Sequence, residues 1–244
     1  MRTMITVRSL SKRFVLHNQG GEVINVFQDL NLDVNRGQAV ALHGPSGAGK
    51  STLLRSLYAN YKISSGSILV RHRDHMVDMA QADPRTVLDI RKHTLGYVSQ
   101  FLRVIPRVPT LEIVARARWD VTGDKDEAYS RAMELLQRLH IPRRLWKLAP
   151  TTFSGGEQQR VNIARGLAVD HPVLLLDEPT ASLDPENRQV VVDLMLEAKE
   201  RGATLVGIFH DEAVRRAVVD RVFTLTPTEH EPSAGNEPWT IRSS

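Results

Sequence analysis

Two stretches near the N-terminus, 4–10 and 24–34, alternate apolar and polar residues, and in the second Ile24, Val26, Leu30, Leu32 and Val34 all take even positions. A period of two predicts half-buried strands. His17-Asn18-Gln19-Gly20-Gly21 between them is a turn cluster, so the chain opens as an antiparallel β part whose first residues, Met1–Val7, begin an edge strand. The pattern then changes. Ala39-Val40-Ala41-Leu42 is apolar without interruption, as a strand covered on both faces must be, and Ser51–Leu57 carries apolar residues at helical spacing. Ser64-Ser65-Gly66-Ser67 turns the chain into a strand at Ile68-Leu69-Val70. A helix near Val87–Lys92 and a short strand at Gly96–Gln100 follow.

Pro106 and Pro109 mark a boundary, and from about 101 to 153 every periodic signal is helical. Thr110 is placed to cap a helix with Ile113, Val114 and Ala117 on one face, while Ala128, Ala132, Leu135, Leu136 and Leu139 form the apolar stripe of a second. Another helix opens at Phe153-Ser154-Gly155-Gly156-Glu157-Gln158-Gln159-Arg160, where Ser154 and Glu157 have the spacing of a capping box. Val173-Leu174-Leu175-Leu176-Asp177 is apolar until its last residue and predicts a buried parallel strand. A turn and cap at Ala181–Pro185 leads to a helix over 186–200 that Gly202 stops. An apolar strand over 203–209 ends at His210, and a last strand spans 221–225. The sum is an α/β domain with a mainly parallel sheet core, an antiparallel N-terminal β part and a helical subdomain.

Composition narrows this picture without naming an activity. A chain of 244 residues, 41% hydrophobic and 25% charged, is that of one globular domain. The pattern bounds the domain at 1–226 and leaves a Pro-, Glu-, Ser- and Asn-rich flexible tail at 227–244. Apolar runs such as Val173–Leu176 fall far short of the about 20 residues that span a bilayer, so no direct membrane insertion is expected. The absence of cysteine excludes thiolate chemistry and suits a cytoplasmic location. A net charge of +4, spread along the chain, argues against a nucleic-acid partner. Arg103–Arg107 and Arg143-Arg144 suit an anionic one.

Chemistry concentrates at Gly44-Pro45-Ser46-Gly47-Ala48-Gly49-Lys50-Ser51, followed by Thr52, between a predicted strand and a predicted helix. This glycine-rich loop presents backbone N–H groups and a helix N-terminus to phosphate, with Lys50 for the β- and γ-phosphates and Ser51 for Mg²⁺. Asp177 and Glu178 end the buried strand on the sheet edge where α/β folds bind ligands; Asp177 suits the metal and Glu178 a general base. Ser154, Gly155 and Gly156 make a second anion-binding helix start, and His210 is a candidate sensor of the γ-phosphate. Phe14, just before the turn cluster, either anchors a strand end or offers an aromatic platform for adenine. His72, Asp74, His75 and Asp78 cluster as a metal site would, but in an irregular polar stretch that reads as an exposed loop.

Taken together these segments resemble the ATP-binding cassette (ABC) ATPases: the loop at 44–51, Gln100, the signature at 153–157, the acidic strand end at 173–178, the turn at 182–184 and His210 occur in family order. Two positions depart. The signature has Phe153 and Glu157 where the family usually has Leu and Gln, and Phe14 stands for the commoner Tyr. The resemblance implies binding and hydrolysis of ATP with Mg²⁺ in a head-to-tail dimer with a second ABC subunit, a homodimer or a related cassette. One chain would supply Lys50, Ser51, Gln100, Asp177, Glu178 and His210. The other would supply Ser154, Gly155, Gly156 and Glu157, with Asp184 communicating across the interface, and Ser51, Gln100 and Asp177 would surround the metal.

Ser56–Tyr61, Gln100–Arg107, Arg144–Pro150 and Gly207–Val214 further resemble the L-subunit family of the bacterial carbon–phosphorus lyase system. That likeness implies an ATPase that remodels the cytosolic lyase core subunits in phosphonate breakdown. The alternative is the ATP-binding subunit of a membrane transporter of the lipoprotein-release or macrolide-export type. Chromosome-maintenance cassettes need a long coiled coil between loop and signature, and the about 100 residues there show no heptads. The second anion site and the Asp-Glu strand end argue against a small-molecule kinase.

Overall fold

The computed structural model describes residues 2–16, 21–102 and 106–226; most of the turn cluster at 17–20, Arg103–Ile105 and the tail at 227–244 lie outside them. β1 (Thr3–Leu16), β2 (Glu22–Asn35), β4 (Ser65–His72) and β5 (His75–Asp78) form an antiparallel sheet in the order β2-β1-β4-β5. β3 (Ala39–His43), β6 (Leu95–Val98), β7 (Val173–Asp177), β8 (Thr204–Ile208) and β9 (Arg221–Thr224) form a parallel sheet in the order β6-β7-β8-β3-β9.

Alternation along the parallel strands divides the core. Val40, Leu42, Val173, Leu175, Val206 and Ile208 join the antiparallel sheet, α1 (Lys50–Leu57) and α2 (Pro84–His93) in one cluster. Ala39, Ala41, Leu174, Leu176 and Leu205 face the other way. They pack with α3 (Thr110–Thr122), α4 (Lys125–Arg138), α5 (Gly155–Leu167), α6 (Pro185–Glu200) and α7 (Glu212–Val218). Leu174, Leu175 and Leu176 are each at most 2% exposed, so truncating any one to alanine costs about 2–5 kcal/mol. Because the strands run parallel in register, Val98 beside Leu176 and Asp177 beside Ile208, the loops after β3, β6, β7 and β8 emerge on one edge.

Several local expectations change. Met1–Val7 does not begin an edge strand, because β1 pairs with β2 on one side and β4 on the other. The even phase of β2 breaks at Phe27, which is 2% exposed; the pairing shifts between Lys12–Phe27 and Leu10–Leu30, and Asp29 takes a φ of 48°. A bulge there turns an odd residue inward. His72 is no exposed loop residue. Pairing of β4 with β5 places it 4% exposed, its ring bonded to Thr94 Oγ1 and to Asp89. Thr110 does not cap α3: Pro109 precedes the helix, and the Thr110 hydroxyl donates to the Leu148 carbonyl at 2.8 Å. That bond ties α3 to the chain before the signature. No periodic signal announced the short α7, which Asp211 caps through the N–H groups of Ala213 and Val214.

Candidate active site

β3 ends at His43, and the chain turns through Gly44–Gly49 into α1. Two glycines have a geometric reason. A Cβ on Gly44, at φ 148°, would stand 2.5 Å from the Leu225 carbonyl oxygen. One on Gly49, at φ 86°, would stand 2.6 Å from Val26 Cγ1. The Gly49 contact also seats the loop against β2. Phe27, which with Val26 lies against Gly49, pairs with Lys12 of β1, and Phe14 of β1 pairs with Ile24 of β2. The Phe14 ring meets Tyr61 in a T-shaped contact at 5.6 Å between centroids, and Lys12 Nζ lies 4.3 Å from the Phe14 ring centre.

Lys50 Nζ donates to the carbonyl oxygens of Gly44 and Pro45, both at 2.8 Å. Ser51 Oγ donates to Asp177 Oδ1 at 3.0 Å, across 126 positions of sequence. Asp177 is 1% exposed and has no cationic partner among the described residues. A buried carboxylate held by neutral donors alone is poorly compensated. Ser51 and Asp177 thus offer a hard oxygen pair with unbalanced negative charge, a donor set that fits Mg²⁺.

The second oxygen of Asp177 accepts from Tyr97 OH at 3.0 Å. Burial and the Asp177 charge push the Tyr97 hydroxyl well above its ordinary pKa, so it stays a donor. Sequence reading passed over Tyr97. The available signal was a hydroxyl inside a short apolar strand, which needs a partner when buried.

Glu178 follows Asp177 with a φ of 54°, a left-handed backbone that costs a residue with a side chain about 1–3 kcal/mol. The turn aims its carboxylate between two loops. Gln100 Nε2 donates to Oε2 at 3.1 Å, and His210 Nε2 lies 2.8 Å from Oε1. The structure thus brings Ser51 with Asp177, and Glu178 with Gln100 and His210. Gln100 reaches Glu178 rather than the Ser51–Asp177 pair.

The signature forms a helix start of its own. Ser154 N–H and Oγ–H donate to Glu157 Oε2 at 2.9 and 2.8 Å, and Glu157 N–H donates back to Ser154 Oγ at 3.3 Å. These bonds, the one from the Ser154 N–H foremost, hold the Glu157 carboxylate below its usual range. Among the described residues no hydrogen bond joins this start to the loop at 44–51. Instead α5 reaches the neighbouring loops. Asn162 Nδ2 donates to the Ser99 carbonyl at 2.6 Å and Gln159 Nε2 to that of Pro179 at 3.2 Å, two links absent from the sequence reading. Asp184 caps α6 by accepting from the Asn187 N–H at 2.9 Å, which holds its carboxylate low.

Comparison with known proteins shows the family to which the chain belongs. A family model described as ABC transporter matches residues 27–181. The arginine transport ATP-binding protein ArtP of Haemophilus influenzae is 40% identical over 195 residues, covering 80% of this chain and 79% of that one. The lipoprotein-releasing system ATP-binding protein LolD of Myxococcus xanthus is 34% identical over 220 residues, covering 90% and 95%. Among solved structures, the dimeric post-hydrolysis state of the ATP-binding cassette MJ0796 bound to ADP and Pi superposes with a TM-score of 0.82 at 30% identity, covering 91% of this chain and 94% of that one.

Proposed function

We propose, from the premise that this chain belongs to the ABC transporter family and is an ATPase using ATP with Mg²⁺, that it is the motor subunit that couples ATP hydrolysis to a membrane permease. The observation that carries the hydrolytic part is Glu178, one residue beyond the carboxylate bonded to Ser51, presented by a left-handed turn between Gln100 and His210. The permease part is supported by relatives named as transport and lipoprotein-releasing ATP-binding proteins.

In this reading Lys50 exchanges the carbonyls of Gly44 and Pro45 for β- and γ-phosphate oxygens, and the N–H groups of 44–51 hold the rest of the triphosphate. Ser51 and Asp177 would hold Mg²⁺, which when bound would neutralise phosphate charge. Glu178 orients a water and takes its proton as the water oxygen attacks the γ-phosphorus. The bond to the bridging oxygen breaks, and ADP leaves with that electron pair. Gln100 and His210 each bond one Glu178 oxygen, and the lone pair left on each oxygen can accept from the attacking water. Ser154 and Gly156 of a second copy complete the phosphate site in a head-to-tail dimer, and Phe14 faces the adenine. Phe101, 74% exposed beside Gln100, is the contact through which motion passes to the partner at the cytoplasmic side of the membrane.

A second reading, remodelling of the carbon–phosphorus lyase core subunits, rests on the resemblance of four segments, among them Gln100–Arg107, which contains the exposed Phe101. Tagged Glu178→Gln protein, trapped with ATP in a native extract, separates the two. Turnover should fall by about 10²-fold or more with ATP binding intact, and an integral membrane permease should co-purify. Soluble phosphonate-pathway subunits in its place would establish the second reading. Wild-type phosphate release from the variant would refute the assignment of Glu178.

A further inference from the structure

The parallel sheet has a second edge, where its strands begin. Arg36 precedes β3, Thr94 precedes β6, Pro172 precedes β7 and Ala203 precedes β8; with Arg2, Arg71, Arg73 and Arg201 they line a cavity of about 320 Å³. The size is at the lower end of small-molecule sites, which run about 300–1,000 Å³. Five guanidinium groups and a single carboxylate, Asp170, line it.

The charges are unequally matched. Arg2 pairs with Asp74 at 3.0 Å and Arg73 with Asp89 at 3.1 Å, both at exposed positions. Asp170 is shared between Arg118 at 3.0 Å and Arg201 at 3.4 Å. Arg71 donates to carbonyl oxygens, that of Thr3 at 2.8 Å and that of Asp74 at 3.4 Å, and to no carboxylate among the described residues. Arg36 lies against Gly202, Nε and Nη2 each 3.4 Å from where a Cβ would stand, with no side-chain hydrogen bond or ion pair among the described residues. Two guanidinium charges, Arg36 and Arg71, therefore face the cavity's surroundings without a carboxylate. The C-termini of α5 and α6 end at the same rim, and each carries about half a negative charge. That offsets at most one of the two and leaves the rim cationic. Beneath the arginines the wall is apolar: Met4, Leu167, Leu174 and Ala203 are between 2% and 8% exposed.

We propose that this cavity binds a small organic phosphate, its dianionic head on Arg36 and Arg71 and its short carbon body on the apolar wall. A phosphoryl group offers several acceptor oxygens to guanidinium forks, which bind it bidentately. The site lies at the opposite end of the parallel strands from Ser51, Asp177 and Glu178, so it is separate from the ATP site and independent of which partner the protein drives.

The test is calorimetric titration of the full chain, held in saturating Mg²⁺-ADP, with glycerol 3-phosphate. Saturable binding is expected, weakened about tenfold or more by Arg36→Glu, the low end for losing a hydrogen bond to a charged group, with ATPase activity unchanged. Three results would overturn the proposal: no saturable binding, equal binding by Arg36→Glu, or binding seen only without ADP, which places the phosphate in the ATP loop. A lipid headgroup is the other source of the same chemistry. Sedimentation with phosphatidic-acid vesicles that depends on Arg36, without binding of free glycerol 3-phosphate, would overturn the small-molecule assignment.

Discussion

Tyr97→Phe removes one hydroxyl and leaves the shape of the core alone. The ring stacks on Tyr58 at 5.0 Å with an interplanar angle of 28°, an arrangement phenylalanine keeps. What is lost is the 3.0 Å bond to Asp177 Oδ2, one of two donors on a carboxylate that is 1% exposed, together with the hydroxyl's hydrogen bond from Arg55. A hydrogen bond to a charged group contributes about 1.5–3 kcal/mol. In a chain of this length each kcal/mol shifts Tm by about 2–4 °C, so the variant should melt about 3–12 °C lower without nucleotide. The freed carboxylate also loses its orientation. Partners that orient a metal ligand are worth about 10–100-fold in metal affinity, so the Mg²⁺ midpoint of ATPase activity should rise by that factor. Saturating Mg²⁺ should restore most of the turnover, because Glu178, Gln100 and His210 are untouched. Thermal unfolding and a Mg²⁺ titration of phosphate release read both effects. A variant with wild-type melting and a wild-type Mg²⁺ midpoint refutes the argument.

Three further perturbations probe other contacts. Gly49→Ala places a Cβ 2.6 Å from Val26 Cγ1 at a φ of 86°; it should destabilise the fold by about 1–3 kcal/mol and weaken ATP binding, measured by melting and nucleotide titration. Glu157→Gln keeps the cap and removes a negative charge from the helix start proposed to receive a partner's γ-phosphate. It should lower the ATP needed for dimerisation by about tenfold in light scattering, equivalent to about 1.4 kcal/mol. Asp33 is held low chiefly by its hydrogen bonds from Arg8, so folding favours its charged form. Its contribution is present above about pH 4, the unfolded carboxylate's range, and fades as pH falls through the lower folded value. Asp33→Asn should therefore melt below wild type at pH 7, with the gap closing toward pH 3; a constant gap across that range would contradict the assignment.

Much of this protein is legible in its residues read in line. The apolar run before Asp177, the glycine spacing at 44–49, the Ser154–Glu157 box and the stripe Ala128–Leu139 are local patterns, and local geometry builds the same elements from them. Side-chain hydrogen bonds between distant positions are not local. That β1 is interior, that His72 is buried on Asp89, and that Thr110 bonds Leu148 follow from which segments pair, which no period of two or of 3.6 records. Tyr97 and Asp177 stand 80 positions apart, and Glu178 meets Gln100 and His210 only because the ends of β6, β7 and β8 share one edge. The far edge shows the same division. Arg2, Arg36, Arg71, Arg73 and Arg201 are scattered along the chain, and only the parallel stacking of β3, β6, β7 and β8 against the antiparallel sheet draws them around one cavity. Chain order determined most of the helices and strands and the phosphate loop, while α7 and β5 emerged only in the tertiary structure. Tertiary structure decided which charges meet, because electrostatic and hydrogen-bond energies fall off with distance in space, and separation in sequence does not enter them.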